Sequence, residues 1–239
     1  MLVKTRGIVL NYIKFRETSI IVRIYTEQLG LQSYIINSIR KKAPGSRMAL
    51  FQPFTLLDLV VYPSARGGIS RISEYKCHYP FASIPFDIRK SSVLLFLSEV
   101  VSRTIREEEE NPALFGFLHR SMLLFDQMET GFENFHLVFL LQLSTYLGFA
   151  PSTGEEITTQ VAFATDAHAA PASRPALLHF QLFEPLLEDL LHRPDQTVIA
   201  NGKVRRELLH ILIRYYQLHV DKFGEIKSLS VLSEVLAEN

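Results

Sequence analysis

Apolar and polar residues alternate along the first 75 or so positions with the two-residue period that is typical of β-strands. This pattern predicts five strands, over residues 2–13, 18–26, 31–39, 55–62 and 69–75. In the second strand the alternation predicts two faces: Ile20, Val22 and Ile24 towards a core, and Ile21, Arg23 and Tyr25 away from it. Because closing a sheet hides its edges, five short strands without a long helix among them favour a small β-barrel.

Two barrel types satisfy this strand count. A five-stranded OB-fold has an open face and loops that commonly bind single-stranded nucleic acid. An SH3-like barrel fits the same pattern, and the alternation does not choose between them.

The pattern changes after Pro80, where apolar residues begin to recur at helical spacing. Predicted helices begin near Ser92, after the capping pair Asn111-Pro112, at 132–147, at 177–191 with a break at Pro185, at 202–221 after the cap Asn201, and at Ser228 or Ser230. Residues 150–175 lack this period and predict an irregular surface loop, with short strands around 160–163. The fold class is therefore predicted as α+β, with an OB-fold barrel domain over residues 1–80 and an all-α helical domain over 81–239.

Charge divides the chain in the same place. Residues 1–80 carry 12 Lys and Arg against 4 Asp and Glu, whereas the remaining residues carry 13 against 21, so the whole chain balances at 25 against 25. A basic segment attracts polyanions, of which nucleic acid is the commonest. The alternative is a basic surface that has no ligand.

The basic half contains the candidate DNA contacts. Four cations cluster in the turn between the third and fourth strands, which suits sequence-independent contact with phosphates. Tyr12, Phe15, Tyr25 and Tyr34 are interleaved among the charges as stacking platforms for bases would be, although core packing explains such rings equally well. The predicted DNA-binding set is Arg6, Lys14, Arg16, Arg23, Tyr34, Arg40, Lys41, Lys42, Arg47, Arg66 and Arg71.

No catalytic or metal-binding motif accompanies these residues. The sequence has no glycine-rich phosphate loop, no Gly-x-Ser-x-Gly and no His-Glu-x-x-His, and its eight histidines are scattered. The lone Cys77 excludes an intrachain disulfide and fits a reducing compartment. We therefore expect a cytoplasmic protein that is not an enzyme and needs no cofactor, metal or membrane. A catalytic site assembled from scattered residues is the remaining enzymatic alternative.

Several segments together resemble a known family. They are Thr5–Leu10, Tyr25–Leu31, Phe51–Leu57, Glu108–Phe115, Leu147–Pro151 and Ile226–Leu229. In this order and spacing they resemble the bacterial recombination mediator RecO over nearly the whole chain.

The resemblance implies an N-terminal OB-fold that binds single- and double-stranded DNA. It also implies a nucleoid-associated, non-covalent activity: annealing of complementary strands and, with RecR, help for RecA in replacing single-stranded DNA-binding protein. The helical domain is implied to contact RecR and the acidic-hydrophobic tail of single-stranded DNA-binding protein. Arg103, Arg106 and Arg120 could meet such a tail, although ordinary surface charges explain them better.

Two further expectations accompany the resemblance. Many relatives carry a four-cysteine zinc site just after the segment that matches Leu147–Pro151, but residues 152–175 contain no cysteine here, so we predict a metal-free loop. The alternative function is a non-catalytic OB-fold adaptor that binds RNA or a protein partner.

Overall fold

The computed structural model describes residues 2–37, 39, 47–63, 68–106, 108–166, 175–199 and 201–236. Contacts between residues divide the chain into two compact units, Met1–Met128 and Glu129–Asn239. The first unit contains the predicted barrel together with two helices that follow it. The second unit is entirely helical over its described residues.

Five strands of the first unit form a closed barrel in the order β1-β2-β3-β5-β4, with β4 paired back onto β1. The strands are β1 Val3–Phe15, β2 Ser19–Thr26, β3 Gly30–Ile36, β4 Leu56–Tyr62 and β5 Ile69–Tyr79. All pairs are antiparallel except β3 with β5, which is parallel. The five predicted strands, the OB-fold barrel and the α+β class are confirmed, and this topology decides between the two barrel types.

β1 closes the barrel because it pairs with two neighbours. Its residues from Gly7 onwards pair with β2, and its residues up to Ile8 pair with β4. At Gly7 an added Cβ would lie 2.6 Å from a side-chain methyl of Ile24 and 2.7 Å from one of Leu59, so a larger residue would have to displace core side chains.

The alternation of β2 is confirmed in direction. Ile20, Val22 and Ile24 are buried in the barrel core. Tyr25 points to the outer face as predicted, but it is not exposed: it is buried beside Phe115, with the ring centres 6.2 Å apart. A strand pattern alone does not reveal that a later helix covers this part of the barrel.

That covering comes from α1 Ile88–Thr104 and α2 Pro112–Gln127. The carboxylate of Asp87 caps α1, so the helix begins four residues earlier than predicted, whereas the predicted cap of α2 at Asn111 is confirmed. α1 packs on β1, where the hydroxyl of Ser98 donates to the carbonyl of Leu10 at 2.7 Å.

A group of buried hydrogen bonds, here called the buried polar joint, attaches the segment between β5 and α1 to both helices. The Asp126 carboxylate accepts hydrogen bonds from the backbone N–H groups of Ala82, Ser83 and Ile84 at 2.8 to 3.0 Å. The ammonium of Lys90, itself buried, donates to the carbonyls of Phe125, Asp126 and Met128 and to the hydroxyl of Ser83. Lys90 of α1 thus satisfies backbone carbonyls at the end of α2, and Asp126 of α2 satisfies backbone N–H groups of the segment that connects β5 to α1.

The second unit contains six helices among its described residues. They are α3 Phe135–Tyr146, α4 Gly154–Thr165, α5 Pro175–Gln181, α6 Glu184–His192, α7 Gly202–His219 and α8 Ser228–Val235. The break near Pro185 is confirmed, because this proline lies in the first turn of α6. The cap of α7 at Asn201 is confirmed as well.

The irregular loop predicted over residues 150–175 is wrong for its first half, where α4 lies. Thr153 caps α4 by accepting from the backbone of Glu156, and Ile157 and Val161 bury one face. Threonine and alanine fill much of the helix, and these small or weakly helical residues hide the period. Residues 167–174 lie outside the described part of the chain.

Replacing Asp126 with Asn is expected to lower the free energy of unfolding by about 2 kcal/mol, because one acceptor must then serve three buried N–H groups. Burial raises the pKa of Asp126, but the backbone hydrogen bonds from Ala82, Ile84 and Ser83 outweigh it and hold the pKa below its usual value. The loss is therefore full above the ordinary carboxyl pKa of about 4 and shrinks as the pH falls through the lower folded-state pKa.

Urea denaturation at several pH values measures both quantities. Asp195→Asn, at an exposed aspartate, is the matched control and is expected to shift stability by less than about 0.5 kcal/mol. An Asp126→Asn protein as stable as the unaltered chain near neutral pH would contradict the role of the joint.

Candidate nucleic-acid interface

Strand register gathers residues from all five strands at one edge of the barrel. Ile13 pairs with Ile21, Ile21 with Ile35, Ile35 with Arg71, and Arg71 with Tyr62. Just beyond this line lie the β1–β2 turn and the segment after β3, whereas the segment between β4 and β5 lies on the other side of the line, before Ile69. Residues far apart in sequence therefore share this edge.

A second line of paired residues lies beside the first. Asn11 pairs with Arg23, Arg23 with Ser33, and Ser33 with Ile69. Their neighbours along each strand point into the core, so these side chains point outwards. We name eight of these nine residues, all except Tyr62, the Ile/Arg face: Asn11, Ile13, Ile21, Arg23, Ser33, Ile35, Ile69 and Arg71.

Cations lie on this face and at its margin. Arg23 and Arg71 belong to it, exposed Lys14 follows Ile13 on β1, and Arg16 occupies the β1–β2 turn with a positive φ of 51°. The guanidinium of Arg16 lies over the ring of Phe15, 5.2 Å from its centre. Among the described residues, no carboxylate forms an ion pair with Lys14, Arg23 or Arg71, so their charges are available to an external anion.

Asn11 is held in place by α1 at the edge of the face. Its side-chain amide donates to the hydroxyl of Ser102, near the end of α1, at 3.0 Å. The register of β1 and β2 shifts between Val9 and Asn11, which reorients the second half of β1. The helix and the register shift together set where Ile13 and Lys14 point.

Arg6 lies elsewhere. Its guanidinium donates to both carboxylate oxygens of Glu27, at 2.6 and 2.9 Å, and lies 5.5 Å from the ring centre of Phe115. The hydrogen bond from Arg6 lowers the pKa of Glu27, and the same bond raises the pKa of Arg6. An arginine already neutralised in this way is a poor phosphate ligand, so the prediction of Arg6 as a DNA contact is not supported by its position.

The surroundings of Arg6 are electrically balanced. They form a cleft of about 510 Å³ that is lined by three cations, Lys4, Arg6 and Lys76, and by three acids, Glu27, Asp58 and Glu74. Asp58 contacts Lys76 at 3.4 Å and His78 at 2.9 Å. This cleft, next to the β2–β3 turn, lacks the excess positive charge that a polyanion needs.

Tyr34 is not a stacking platform. Its ring is fully buried in the barrel core, and its hydroxyl has no hydrogen-bond partner among the described residues. Burial raises the pKa of this hydroxyl above its usual value. The prediction of Tyr34 as a base contact is therefore wrong, because alternation along β3 turns its side chain inwards.

The other predicted contacts divide into two groups. Arg47 is exposed at the start of a 3₁₀ helix, Arg47–Phe51, and strand pairing does not place it on the Ile/Arg face. Arg40, Lys41, Lys42 and Arg66 lie outside the described residues. Of the other interleaved rings, Tyr12 packs against the core and Phe15 is half-buried.

Sequence reasoning missed the aliphatic half of the face. Ile13 is 61% exposed and Ile69 is 49% exposed, and Ile21 and Ile35 are half-buried between them. The signal was present in the alternation, since isoleucine at outward strand positions is unusual on a solvated surface.

Two further observations bear on the type of site. Within the described ranges, no group of three or more His, Cys, Asp or Glu side chains is arranged to hold a metal ion. Over the same ranges, no helix has the length and apolar character needed to cross a bilayer.

Comparisons with known proteins cover almost the whole chain. Family models described as recombination protein O N terminal and recombination protein O C terminal match residues 1–81 and 85–230. DNA repair protein RecO of Bacteroides fragilis is 38% identical over 242 residues, covering 98% of this chain and 99% of the relative. The proteins of that name from Flavobacterium psychrophilum and Chlorobium limicola are 36% and 27% identical over 243 and 263 residues, covering at least 99% of each chain.

Replacing Tyr34 with Phe is expected to leave stability unchanged or raise it by up to about 1 kcal/mol, because it removes a buried hydroxyl without a partner. Tyr216→Phe is the contrasting control, since the hydroxyl of Tyr216 donates to the Leu140 carbonyl at 2.6 Å. The control is expected to lose about 1 kcal/mol. Chemical denaturation compares the two variants, and a marked loss in Tyr34→Phe would show that its hydroxyl is satisfied.

Proposed function

This chain belongs to the RecO family of DNA repair proteins, and we propose that it acts as a non-catalytic recombination mediator. In this proposal it binds single- and double-stranded DNA and anneals complementary strands. With RecR, it helps RecA to assemble on DNA that is coated by single-stranded DNA-binding protein.

One observation carries the DNA-binding part of the proposal. Strand register brings Lys14, Arg16, Arg23 and Arg71 to one edge of the barrel, and three of these cations have no carboxylate partner among the described residues. Concentrated, unneutralised cations on a barrel surface suit contact with a sugar-phosphate backbone. Such contacts do not depend on the base sequence, which suits a protein that acts on DNA of any sequence.

The charge difference between the two halves of the chain supports the partner assignments. Residues 1–80 would contact DNA, and the acidic region 81–239 would contact RecR and the tail of single-stranded DNA-binding protein. Of the three arginines considered for the tail, Arg103 is already engaged by Glu99 at 2.6 Å within α1. Arg120 is exposed on α2 and remains the better candidate for an acidic peptide.

A non-catalytic adaptor that binds a protein or RNA is the second candidate. The exposed isoleucines of the Ile/Arg face favour it, because apolar surface of this kind also suits a protein partner. The two functions differ in their dependence on DNA and are separated by the following experiments.

The double variant Arg23→Ala/Arg71→Ala is expected to weaken binding of labelled single-stranded DNA of any sequence. If each arginine neutralises one phosphate, the slope of log affinity against log salt falls by about 1.4. Fluorescence anisotropy over a salt series measures this slope. Arg6→Ala is the matched control: it removes a cation that Glu27 already holds, so the slope is expected to stay the same. Equal effects of both changes would remove the face from the proposal.

Annealing is tested on complementary strands that are first coated with single-stranded DNA-binding protein. The unaltered chain is expected to accelerate duplex formation, and Arg23→Ala/Arg71→Ala is expected to lose most of that acceleration because the strands are no longer held. Quenching of a dye pair on the two strands follows the reaction. If the unaltered chain gives no acceleration, the adaptor function is favoured instead.

A further inference from the structure

We propose that the aliphatic row of Ile13, Ile21 and Ile35 contacts the faces of unpaired bases and thereby distinguishes a single strand from a duplex. This inference rests on the proposed DNA binding and assigns a task to residues that no charge argument uses. The cations would hold any DNA, whereas the aliphatic row would hold only DNA whose bases are unpaired.

The geometry of the row suits a short stretch of bases. Its three residues are consecutive partners across β1, β2 and β3, so their side chains form one continuous strip. Neighbouring strands lie about 4.8 Å apart, which makes the strip roughly 10 Å long. Bases whose faces lie on the strip cannot also stack on one another at the 3.4 Å spacing of a helix, so roughly one or two bases fit along it.

The surroundings of the row decide between possible occupants. Arg71 pairs with Ile35, Arg23 lies two residues beyond Ile21 on β2, and Lys14 follows Ile13 on β1. An apolar strip bordered by cations complements a molecule that presents apolar surfaces and regularly spaced anions together. A duplex satisfies the cations but hides its base faces, and a purely apolar protein surface leaves the cations without partners. A single strand satisfies both.

Aliphatic contact also predicts that a single strand is bound without preference for particular bases. The rings of Tyr25 and Tyr34 are at most 1% exposed, and the half-exposed ring of Tyr62 lies beside Arg71, beyond the end of the row. Isoleucine is stiff because its β-carbon is branched, so little side-chain entropy is lost when a base covers it. Burial of apolar area depends weakly on which base provides it, and the row therefore adds affinity without sequence preference.

The decisive experiment separates bases from phosphates. Ile13→Thr/Ile35→Thr keeps β-branched residues in both strands and removes apolar surface. Its affinity for oligothymidine is expected to fall about tenfold. Its affinity for an abasic oligomer of equal length and for a duplex is expected to stay unchanged, as is the salt slope with each. Fluorescence anisotropy at one salt concentration, followed by a salt series, provides these values.

Ile88→Thr is the matched control. Ile88 is 71% exposed at the start of α1, and Ser102, which contacts the face, lies about 21 Å further along that helix. This variant is expected to bind all three ligands as the unaltered chain does. Circular dichroism and the duplex affinity show whether the double variant retains its fold.

Two results would overturn the inference. In the first, the double variant loses as much affinity for the abasic oligomer as for oligothymidine, which would mean that the row supports phosphate contact only. In the second, it loses affinity for neither. Failure of the unaltered chain to bind any of the three ligands is a different outcome, since it would refute the proposed DNA binding itself.

Discussion

The structure depends on the double pairing of β1, which hydrogen-bonds to β2 along one stretch and to β4 along another. Because β1 pairs with both β2 and β4, it joins the two ends of the sheet and closes the barrel. Gly7 lies where both neighbouring strands point side chains into the core, and a Cβ there would crowd the side chains of Ile24 and Leu59. The register shift between Val9 and Asn11 then turns the second half of β1, and α1 supplies a hydroxyl to the Leu10 carbonyl at that point.

Closure also separates charge on the barrel. Near the β2–β3 turn, acidic and basic side chains pair with each other. Glu27 contacts Arg6, and Asp58 contacts Lys76. On the Ile/Arg face, Arg23 and Arg71 come together from different strands without a described carboxylate partner. The excess of cations counted in the first 80 residues is therefore not spread evenly. Its described part concentrates on the Ile/Arg face and at the β1–β2 turn, beside exposed isoleucines.

The first two helices belong with the barrel in their contacts, although helical patterning begins after Pro80. Lys90 and Asp126 explain why: each satisfies backbone groups that would otherwise be buried without partners, and together they fasten the connecting chain to α1 and α2. α2 also covers Tyr25, and α1 holds Asn11 at the edge of the Ile/Arg face. The helices thus position the candidate interface as well as stabilising the barrel.

The sequence by itself determined the five strands, the helix caps at Asn111 and Asn201, and the basic character of the first half, because strand period, capping chemistry and charge are local properties. It also supported the family assignment through the order of short segments. Only the tertiary structure decided that Arg6 is neutralised, that Tyr34 faces the core, and that Ile13, Ile21 and Ile35 form a row. Those outcomes depend on register and on which surfaces the helices cover, and both are set by pairing between residues distant in the chain.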